Sequence, residues 1–287
     1  MDFVADVRAR DRTSFLASLF APEGVRPALL ALSAYRLECR RIVETVRDPL
    51  AAEIRLQWWR DAIRNVGYGE GGGVPLVEAL RDGVTRYGWP VDALVAVSEA
   101  HIHDLYADPF EDWDAFDGYA GEAFGTPVQL AAMALCVEAL GEAMGHAAAR
   151  TAATAAGYAG VLEAAADAAF HFVPRLRRAR ASVPAKAFRE ATGVGLSAAL
   201  EAGEVPQGAE RAVLAAVARG EWADGEMRAA LGGAAPEAHA AFLPALVARG
   251  RLSAVRRAPL APRQPAQWRV QWALWREARR LGKVSAR

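Results

Sequence analysis

The sequence predicts an all-α protein. Apolar residues recur every three or four positions along most of the chain, as they do on one face of an α-helix. Runs of β-branched residues in strict alternation, which would indicate strands, are almost absent. The chain has 287 residues, of which 53% are hydrophobic and 24% are charged. That is enough for a buried core that needs no disulfide or metal ion to hold it.

The first clear helix of this fold is predicted over residues 26–46. Its apolar positions Tyr35, Cys39 and Ile42 are separated by four and three residues, so they lie on one face. Asp48-Pro49 ends this helix, because proline lacks a backbone N–H and disfavours helical backbone in the residue before it.

A second helix is predicted over about 51–65, and it leads into a glycine-rich loop at 66–73. That loop has no Gly-Lys-Ser/Thr ending and no preceding strand, so neither a P-loop nor a dinucleotide fingerprint is indicated. Further helices are predicted over 75–87, 91–106, 116–140, 146–172, 209–219, 236–249 and 264–281.

The connections between these helices predict a single domain of about ten helices over residues 1–287. No long linker, composition shift or internal repeat divides the chain. In the last helix Trp268, Trp272 and Trp275 recur at i, i+4 and i+7, a stripe typical of docking onto the body of a protein. Arginines accompany the tryptophans, which leaves peripheral contact with an anionic membrane open.

Charge and cysteine content exclude several classes of protein. The 34 basic residues are balanced by 34 acidic ones, which argues against a nucleic-acid partner. Cys39 and Cys136 form neither a disulfide framework nor a zinc-binding spacing. Residues 1–20 carry too many charges for a signal peptide, and no uninterrupted apolar run of eighteen residues occurs. We expect a cytoplasmic protein, with peripheral contact at the inner membrane face left open.

A specific string lies in the second helix, Glu-Ile-Arg-Leu-Gln-Trp-Trp-Arg-Asp at residues 53–61. Together with Ala-Leu-Ser-Ala-Tyr at 31–35 and the segments 119–125 and 178–184, it resembles the squalene/phytoene synthase family. The resemblance spans roughly residues 12–184. Residues 185–287 are more divergent, and their last helix is the tryptophan-rich one. It implies the all-α isoprenoid synthase fold, a helical bundle around a central cavity.

Active members of that family join two prenyl diphosphates with two aspartate-rich helical motifs that hold Mg²⁺. The chemistry needs carboxylates one helical turn apart, because a hard cation takes oxygen ligands and neutralises the leaving pyrophosphate. Matched to this sequence, the first motif falls on Arg40-Arg41-Ile42-Val43-Glu44. Two of its three carboxylates are therefore arginines here.

The second motif is expected near the end of the alanine-rich helix. Counting forward from residue 157 puts its two aspartates at Ala168 and Phe172, and counting back from residue 184 puts them at His171 and Arg175. Neither register supplies a carboxylate.

One acidic pair with i, i+4 spacing does lie nearby, Glu163 and Asp167. With Glu44, this pair would form a displaced metal site in an active enzyme. The alternative interpretation is a solvated acidic face of the helix.

A branch of the family shows the same loss of aspartates and includes a mitochondrial respiratory complex I assembly factor. The resemblance to that branch implies a protein partner in respiratory complex assembly. It is carried by Glu38, Arg41, Pro49, Glu53, Arg55, Trp58 and Trp59.

The candidate ligand-binding residues are Arg40, Arg41, Glu44, Tyr119 and His171. Guanidinium groups at positions 40 and 41 would bind an anion directly if they point into the family's cavity. The alternative for Arg40 and Glu44 is an ordinary i, i+4 ion pair on the helix surface.

The candidate partner surface comprises Arg55, Trp58 and Trp59. Adjacent helix positions point about 100° apart, so we expect one of the two indoles in the core and the other toward a groove or partner. No metal site is predicted from His101 and His103, because residues i and i+2 do not face each other on a helix.

The leading hypothesis is therefore a non-catalytic family member without a cofactor. It would act in respiratory complex I assembly or bind an apolar isoprenoid ligand. The alternative is an active transferase that condenses farnesyl or geranylgeranyl diphosphate, with Mg²⁺ on Glu44, Glu163 and Asp167.

Overall fold

The computed structural model of the protein describes residues 2–46, 48–64, 73–106 and 108–285. The described residues form helices and connecting turns with no β-strand, so the all-α prediction is confirmed. The predicted glycine-rich loop falls on 66–73, of which only Gly73 belongs to the described residues.

The α-helices are numbered here in chain order. The first eight are α1 (Phe3–Arg10), α2 (Arg12–Ser18), α3 (Arg26–Thr45), α4 (Pro49–Arg64), α5 (Pro75–Tyr87), α6 (Val91–Ala100), α7 (Trp113–Ala120) and α8 (Thr126–Leu140). The others are α9 (Glu142–Arg150), α10 (Ala153–Phe170), α11 (Phe172–Leu176), α12 (Ala185–Thr192), α13 (Leu196–Ala202), α14 (Ala209–Leu231), α15 (Leu243–Arg257) and α16 (Gln267–Ser285). Short 3-10 helices lie at Glu23–Val25, His103–Leu105 and Pro236–Phe242.

Helix α3 forms where the apolar periodicity predicts it. Tyr35, Cys39 and Ile42 are almost completely buried, and the helix ends at Val46. Pro49 is the first residue of α4, a position where the missing N–H costs no hydrogen bond.

Helix α10 is the central helix of the bundle and is buried on nearly every side. It packs against α14, α15 and the segment that joins α7 to α8. Its alanines and Gly160 allow this approach, because a Cβ on Gly160 would lie 2.5 Å from the backbone oxygen of Ala120 and from the backbone nitrogen of Gly125.

Residues 113–140 form one long helical stretch with a π-helical turn at Gly121–Gly125 between α7 and α8. In the part of the chain described, this stretch alone is long and apolar enough to cross a membrane by length and composition. Core helices pass the same test, and 56% of its most apolar window is buried inside the protein.

A connected cluster of buried apolar side chains runs from Val7 to Val255. Helix α16 contributes to a smaller cluster with Ala17, Leu243 and Leu274. The second half of the chain therefore packs on the same central helices as the first.

The structure differs from the predicted elements toward both ends of the chain. The sequence analysis missed α1, α2, α12 and α13 and made α14 twelve residues too short, because these short or alanine-rich segments show little apolar period. It also assigned the tryptophan stripe of α16 to the body of the protein, and this is wrong. Val270, Leu274 and Leu281 face inward instead, while the three indoles are exposed.

Candidate functional site

Two rows of opposite charge meet between α3 and α10. Arg36 and Arg40 lie one turn apart on α3, and Glu163 and Asp167 lie one turn apart on α10. Arg36 Nη1 donates to Glu163 Oε2 at 2.5 Å, and Arg40 Nη2 donates to Asp167 Oδ1 at 3.1 Å. These two ion pairs connect the helices on which the family's metal motifs are expected.

Asp167 is the centre of this cluster and is only 3% exposed. Besides Arg40, its carboxylate accepts a 2.5 Å hydrogen bond from Arg175, and His171 Nδ1 lies 3.1 Å away. Burial by itself would raise the pKa of Asp167, but Arg40 and Arg175 hold that pKa well below its ordinary value. The group is therefore a buried anion compensated by at least two cations.

A second polar network lies beside the first. The Asp104 carboxylate accepts a 2.8 Å hydrogen bond from Tyr119 and contacts His101 Nδ1 at 2.9 Å. Burial opposes ionisation of Asp104, but the bond to His101 and the charge of Arg175 keep its pKa below the usual range. Burial and the neighbouring Asp104 raise the pKa of Tyr119 well above its ordinary value, so it stays a neutral donor.

A cavity of about 1400 Å³ opens next to the α3–α10 ion pairs. Its walls come from α1, α2, α3, α10, α15, α16 and the segment between the last two helices. Twelve arginines and three carboxylates line it, an excess of nine formal positive charges. Each carboxylate is already paired, because Arg36 contacts Asp11 and Glu163 while Arg40 contacts Asp167.

Four of the lining arginines have no hydrogen-bond, ion-pair or aromatic partner among the residues described: Arg12, Arg251, Arg257 and Arg263. A guanidinium group presents a planar set of donors that matches phosphate and carboxylate oxygens. The cavity is thus chemically suited to an anion with several oxygen atoms.

The predicted ligand-binding residues do not all lie in one place: some line the cavity and others belong to the polar networks around Asp167 and Asp104. Arg40 lines the cavity and is paired with Asp167, while Glu44 lies 3.5 Å from the same guanidinium and is largely exposed. Arg41 is not a lining residue, and it donates to Glu38 one turn earlier at 2.5 and 2.7 Å. Arg40 thus forms the i, i+4 ion pair and also faces the cavity, whereas direct binding of an anion stays a prediction.

Tyr119 and His171 lie in the polar networks just described, as partners of Asp104 and Asp167 respectively. The solvated-face interpretation of Glu163 and Asp167 is wrong. Both side chains are largely buried, and each is paired with an arginine of α3.

On α4 the two adjacent indoles separate as the helical geometry predicts. Trp59 is buried, with its ring centroid 5.5 Å from that of Tyr35, whereas Trp58 is 39% exposed. Arg55 is exposed on the same helix. Trp58 and Arg55 are therefore accessible to a partner, and Trp59 is a core residue.

The acidic residues do not fit a magnesium site. Among the described residues no group of three or more His, Cys, Asp or Glu side chains is placed to hold a metal ion. The two carboxylates with helical spacing, Glu163 and Asp167, already accept hydrogen bonds from guanidinium groups. Mg²⁺ would have to displace arginines whose positive charge repels it.

Sequence reasoning missed Arg36 and most arginines of the cavity wall, and it considered Arg175 only as a motif position that lacks a carboxylate. A signal for the central pairing was present, since Arg36 and Arg40 have the same i, i+4 spacing as Glu163 and Asp167. Two complementary rows on helices of the same bundle predict cross-helix ion pairs. Seven of the twelve lining arginines lie in the divergent segment 185–287, for which no motif was available.

The family model for squalene/phytoene synthase matches residues 7–276. No curated protein matches the sequence. Three similar solved structures are a dehydrosqualene synthase in complex with ligand, the squalene synthase HpnC from Alicyclobacillus acidocaldarius, and TcSQS in complex with a ligand.

The structural similarity to these proteins extends over nearly the whole chain. The dehydrosqualene synthase has a TM-score of 0.77 at 12% identity and covers 98% of this chain and 95% of its own. HpnC has a TM-score of 0.64 at 20% identity, with 90% and 92% covered. TcSQS has a TM-score of 0.70 at 13% identity, with 99% and 90% covered. The fold is therefore the all-α isoprenoid synthase fold, and the chain belongs to the squalene/phytoene synthase family.

Proposed function

We propose that this chain is a non-catalytic member of its family that holds an anionic isoprenoid ligand directly on arginines, without a metal cofactor. The observation that carries the proposal is the pairing of Glu163 with Arg36 and of Asp167 with Arg40. A carboxylate bound to guanidinium is a poor ligand for a divalent cation, and departure of a prenyl diphosphate group requires such a cation.

The class of ligand follows from the lining of the cavity. The unpartnered guanidinium groups would bind a phosphate or diphosphate, while Leu37, Phe124 and Leu246 offer apolar surface in the same cavity. An amphiphile with an anionic head and a prenyl tail meets both requirements. A purely apolar isoprenoid would leave the excess positive charge unmatched.

The proposal is tested by calorimetric titration of the purified protein with a non-hydrolysable farnesyl diphosphate analogue. We expect equal affinity in Mg²⁺ and in a chelator, and weaker binding as salt is raised, because guanidinium contacts are screened by ions. Turnover of farnesyl or geranylgeranyl diphosphate with Mg²⁺, or binding that requires Mg²⁺, would contradict it.

A pair of variants locates the binding groups. Replacing Arg251 and Arg257 together by glutamine removes two unpartnered cavity guanidinium groups, and charge-assisted hydrogen bonds each contribute about 1.5–3 kcal/mol. We expect the affinity to fall at least tenfold. Arg41→Gln is the matched control, since Arg41 is bound to Glu38 and does not line the cavity. A loss confined to the control would favour the original prediction for Arg41.

We further propose that the process served is respiratory complex I assembly, through a protein partner at the cytoplasmic face of the inner membrane. The resemblance of α4 and the end of α3 to the assembly-factor branch supports this. So does an exposed apolar stripe on α4, in which Leu50, Ile54 and Trp58 follow one another at four-residue intervals. Arg55 borders the stripe and is exposed as well.

This partner surface is tested by affinity capture from cells that contain complex I, with immunodetection of its subunits. Trp58→Ala is expected to reduce capture of those subunits strongly, because an exposed aromatic anchor contributes most of the energy at such surfaces. Trp222→Ala on α14 removes a similarly exposed indole elsewhere and should leave capture unchanged. Absence of complex I subunits from the wild-type capture would contradict the assembly role.

An active prenyl-diphosphate transferase is the second candidate. The observation in its favour is that Glu163 and Asp167 both line the cavity with i, i+4 spacing. If Mg²⁺-dependent turnover is found, Glu163→Gln should abolish it at a temperature where circular dichroism shows that the variant is still folded, although loss of the pair with Arg36 lowers its stability. Turnover that survives this substitution would exclude the displaced metal site.

A further inference from the structure

Helix α16 has two opposed faces. Its inner face packs on α15, α2 and the 3-10 helix at Pro236–Phe242 through the stripe that includes Leu274 and Leu281. Its outer face carries Trp268, Trp272 and Trp275, which are 64%, 56% and 41% exposed. Three indoles on one exposed ridge form an apolar surface that nothing in the described chain covers.

The charge of the outer face has a single sign. Glu277 is the sole carboxylate of α16 within the described range, and it is buried against Arg228, Arg276 and Arg280. The exposed surface of the helix therefore presents cations without an accessible acid. This arrangement disfavours a strongly basic partner and favours an anionic one.

Arginines and indoles are also in direct contact on this face. The Arg269 guanidinium lies over the Trp268 ring at 5.3 Å from its centroid, and the Arg279 guanidinium lies over the Trp275 ring at 4.6 Å. The Trp272 and Trp275 rings stack with centroids 4.8 Å apart. The ridge thus combines amphipathic aromatic rings with guanidinium groups in contact with them.

The charge pattern of the whole sequence points to the same end of the molecule. The chain is neutral overall, yet residues 238–287 contain eleven lysines and arginines and a single acidic residue. The preceding 237 residues therefore carry a net negative charge of the same size. Such a division concentrates a positive potential around α15 and α16.

The cavity lies beside this ridge. Arg269, Arg276 and Arg280 occupy one flank of α16, next to the tryptophan ridge, and all three line the cavity. A surface that binds the outer face of α16 would therefore lie close to the opening through which a cavity ligand passes.

We infer that the outer face of α16 binds the surface of an anionic lipid bilayer. The indoles would insert at the boundary between head groups and acyl chains, where tryptophan is enriched, and the guanidinium groups would contact lipid phosphates. A protein partner would be expected to match an isolated basic helix with acidic groups, but a bilayer supplies phosphates in every direction around the ridge. The α4 stripe differs in this respect, because Glu53 and Asp61 accompany its apolar residues.

The test is co-sedimentation of the full chain with vesicles, without any prenyl diphosphate, so its result is independent of the cavity ligand. We expect binding to vesicles of phosphatidylcholine with phosphatidylglycerol, weak binding to phosphatidylcholine alone, and a blue shift of tryptophan emission. Arg269→Gln with Arg279→Gln should lower the partition coefficient roughly thirtyfold, since each basic residue near such a surface contributes about 1 kcal/mol. Trp272→Ala with Trp275→Ala should lower it at least as much.

Trp222→Ala provides the matched control. Trp222 on α14 is also 41% exposed and has the Arg219 guanidinium 4.1 Å from its ring centroid, so it reproduces the same chemistry at another place. Its binding should equal that of the wild type. Equal losses in this variant and the α16 variants, or no binding to anionic vesicles, would overturn the inference. Self-association that depends on Trp272 and Trp275 in the absence of vesicle binding would indicate a protein interface and would also overturn it.

Discussion

At the scale of single residues, Asp167 is the side chain on which the polar cluster depends. It is buried and ionised, and Arg40 and Arg175 are both placed against it. Asp167→Asn would leave these two cations without their anion. We expect the free energy of unfolding in urea to fall by about 3–5 kcal/mol, as in other proteins that lose one partner of a buried ion pair.

Glu44→Gln is the control for that substitution. Glu44 contacts the same arginine at 3.5 Å but is mostly exposed, so its loss should change the free energy of unfolding by no more than about 0.5 kcal/mol. Similar effects of the two substitutions would show that burial does not govern the strength of the pairing.

The lowered pKa of Asp167 also predicts a pH dependence of stability. An unfolded aspartate has a pKa near 3.9, and Arg40 and Arg175 hold the folded value well below it. The stabilisation is then complete above the unfolded pKa and is lost as pH falls toward the folded one. The difference in unfolding free energy between wild type and Asp167→Asn should therefore shrink in urea titrations below about pH 4. A constant difference down to the lowest pH measured would contradict this origin.

At the scale of helices, close backbone approach controls the position of α10. Gly160 lies against the backbone of Ala120 and Gly125, and an added Cβ would lie only 2.5 Å from their atoms. Gly160→Ala is expected to lower the free energy of unfolding by about 1–3 kcal/mol, because the helices must move apart. Gly157→Ala on the same helix meets nothing within 4 Å and should raise that free energy by about 0.5–1 kcal/mol. Thermal or urea unfolding measures both changes. Changes in unfolding free energy of opposite sign for the two variants would verify the contact, and changes of the same sign would disprove it.

Helix α4 offers a comparison between adjacent tryptophans. Trp59→Ala should cost about 3–5 kcal/mol of unfolding free energy, because the indole is buried against Tyr35. Trp58→Ala should cost less than about 1 kcal/mol, because that ring is partly in solvent. Urea unfolding of the two variants measures the difference, and equal costs would show that Trp58 is a core residue too.

The elements predicted best are those with a strong local signal. The bounds predicted for α5 coincide with Pro75–Tyr87, because proline begins the helix and Gly88 in a left-handed conformation ends it. Helix α3 and its end were likewise predicted. The inward face of α16 was not, because tryptophan is apolar in any count of hydrophobicity while Leu274 and Glu277 decide the docking. In that helix a charged residue, Glu277, is buried while the three indoles are exposed, which is the opposite of what hydrophobicity predicts.

The candidate site was also predicted only in part, because its motifs are local whereas its contacts depend on how the helices pack. The replacement of aspartates by Arg40 and Arg41 is what the family resemblance implies, but the partner of each arginine depends on the distance between helices. Arg40 reaches across to Asp167, whereas Arg41 points to Glu38 on its own helix. One position along a helix rotates a side chain by about 100°, so the two arginines have different surroundings. For the arginines of the cavity wall, no local sequence pattern indicates which partner each one has.

At the scale of the whole molecule, the connected core predicts cooperative unfolding. Most buried apolar side chains from α1 to α15 belong to one cluster, and α14 packs along the central helix α10. We expect circular dichroism and tryptophan emission to report the same urea midpoint, as for one domain. Different midpoints from the two probes would contradict unfolding as one domain.

The paired rows on α3 and α10 also restrict how this site can be altered. Replacing Arg40 by aspartate would place a second carboxylate beside Asp167, and replacing Asp167 by arginine would bring three cations together. Either exchange leaves an uncompensated buried charge, at a cost of about 3–5 kcal/mol, whereas exchanging both keeps the balance. The positions are therefore epistatic. A protein engineer who wishes to install a divalent-cation site here must replace Arg36 and Arg40 together in the presence of the metal, since removing either arginine alone leaves a buried carboxylate without its cation.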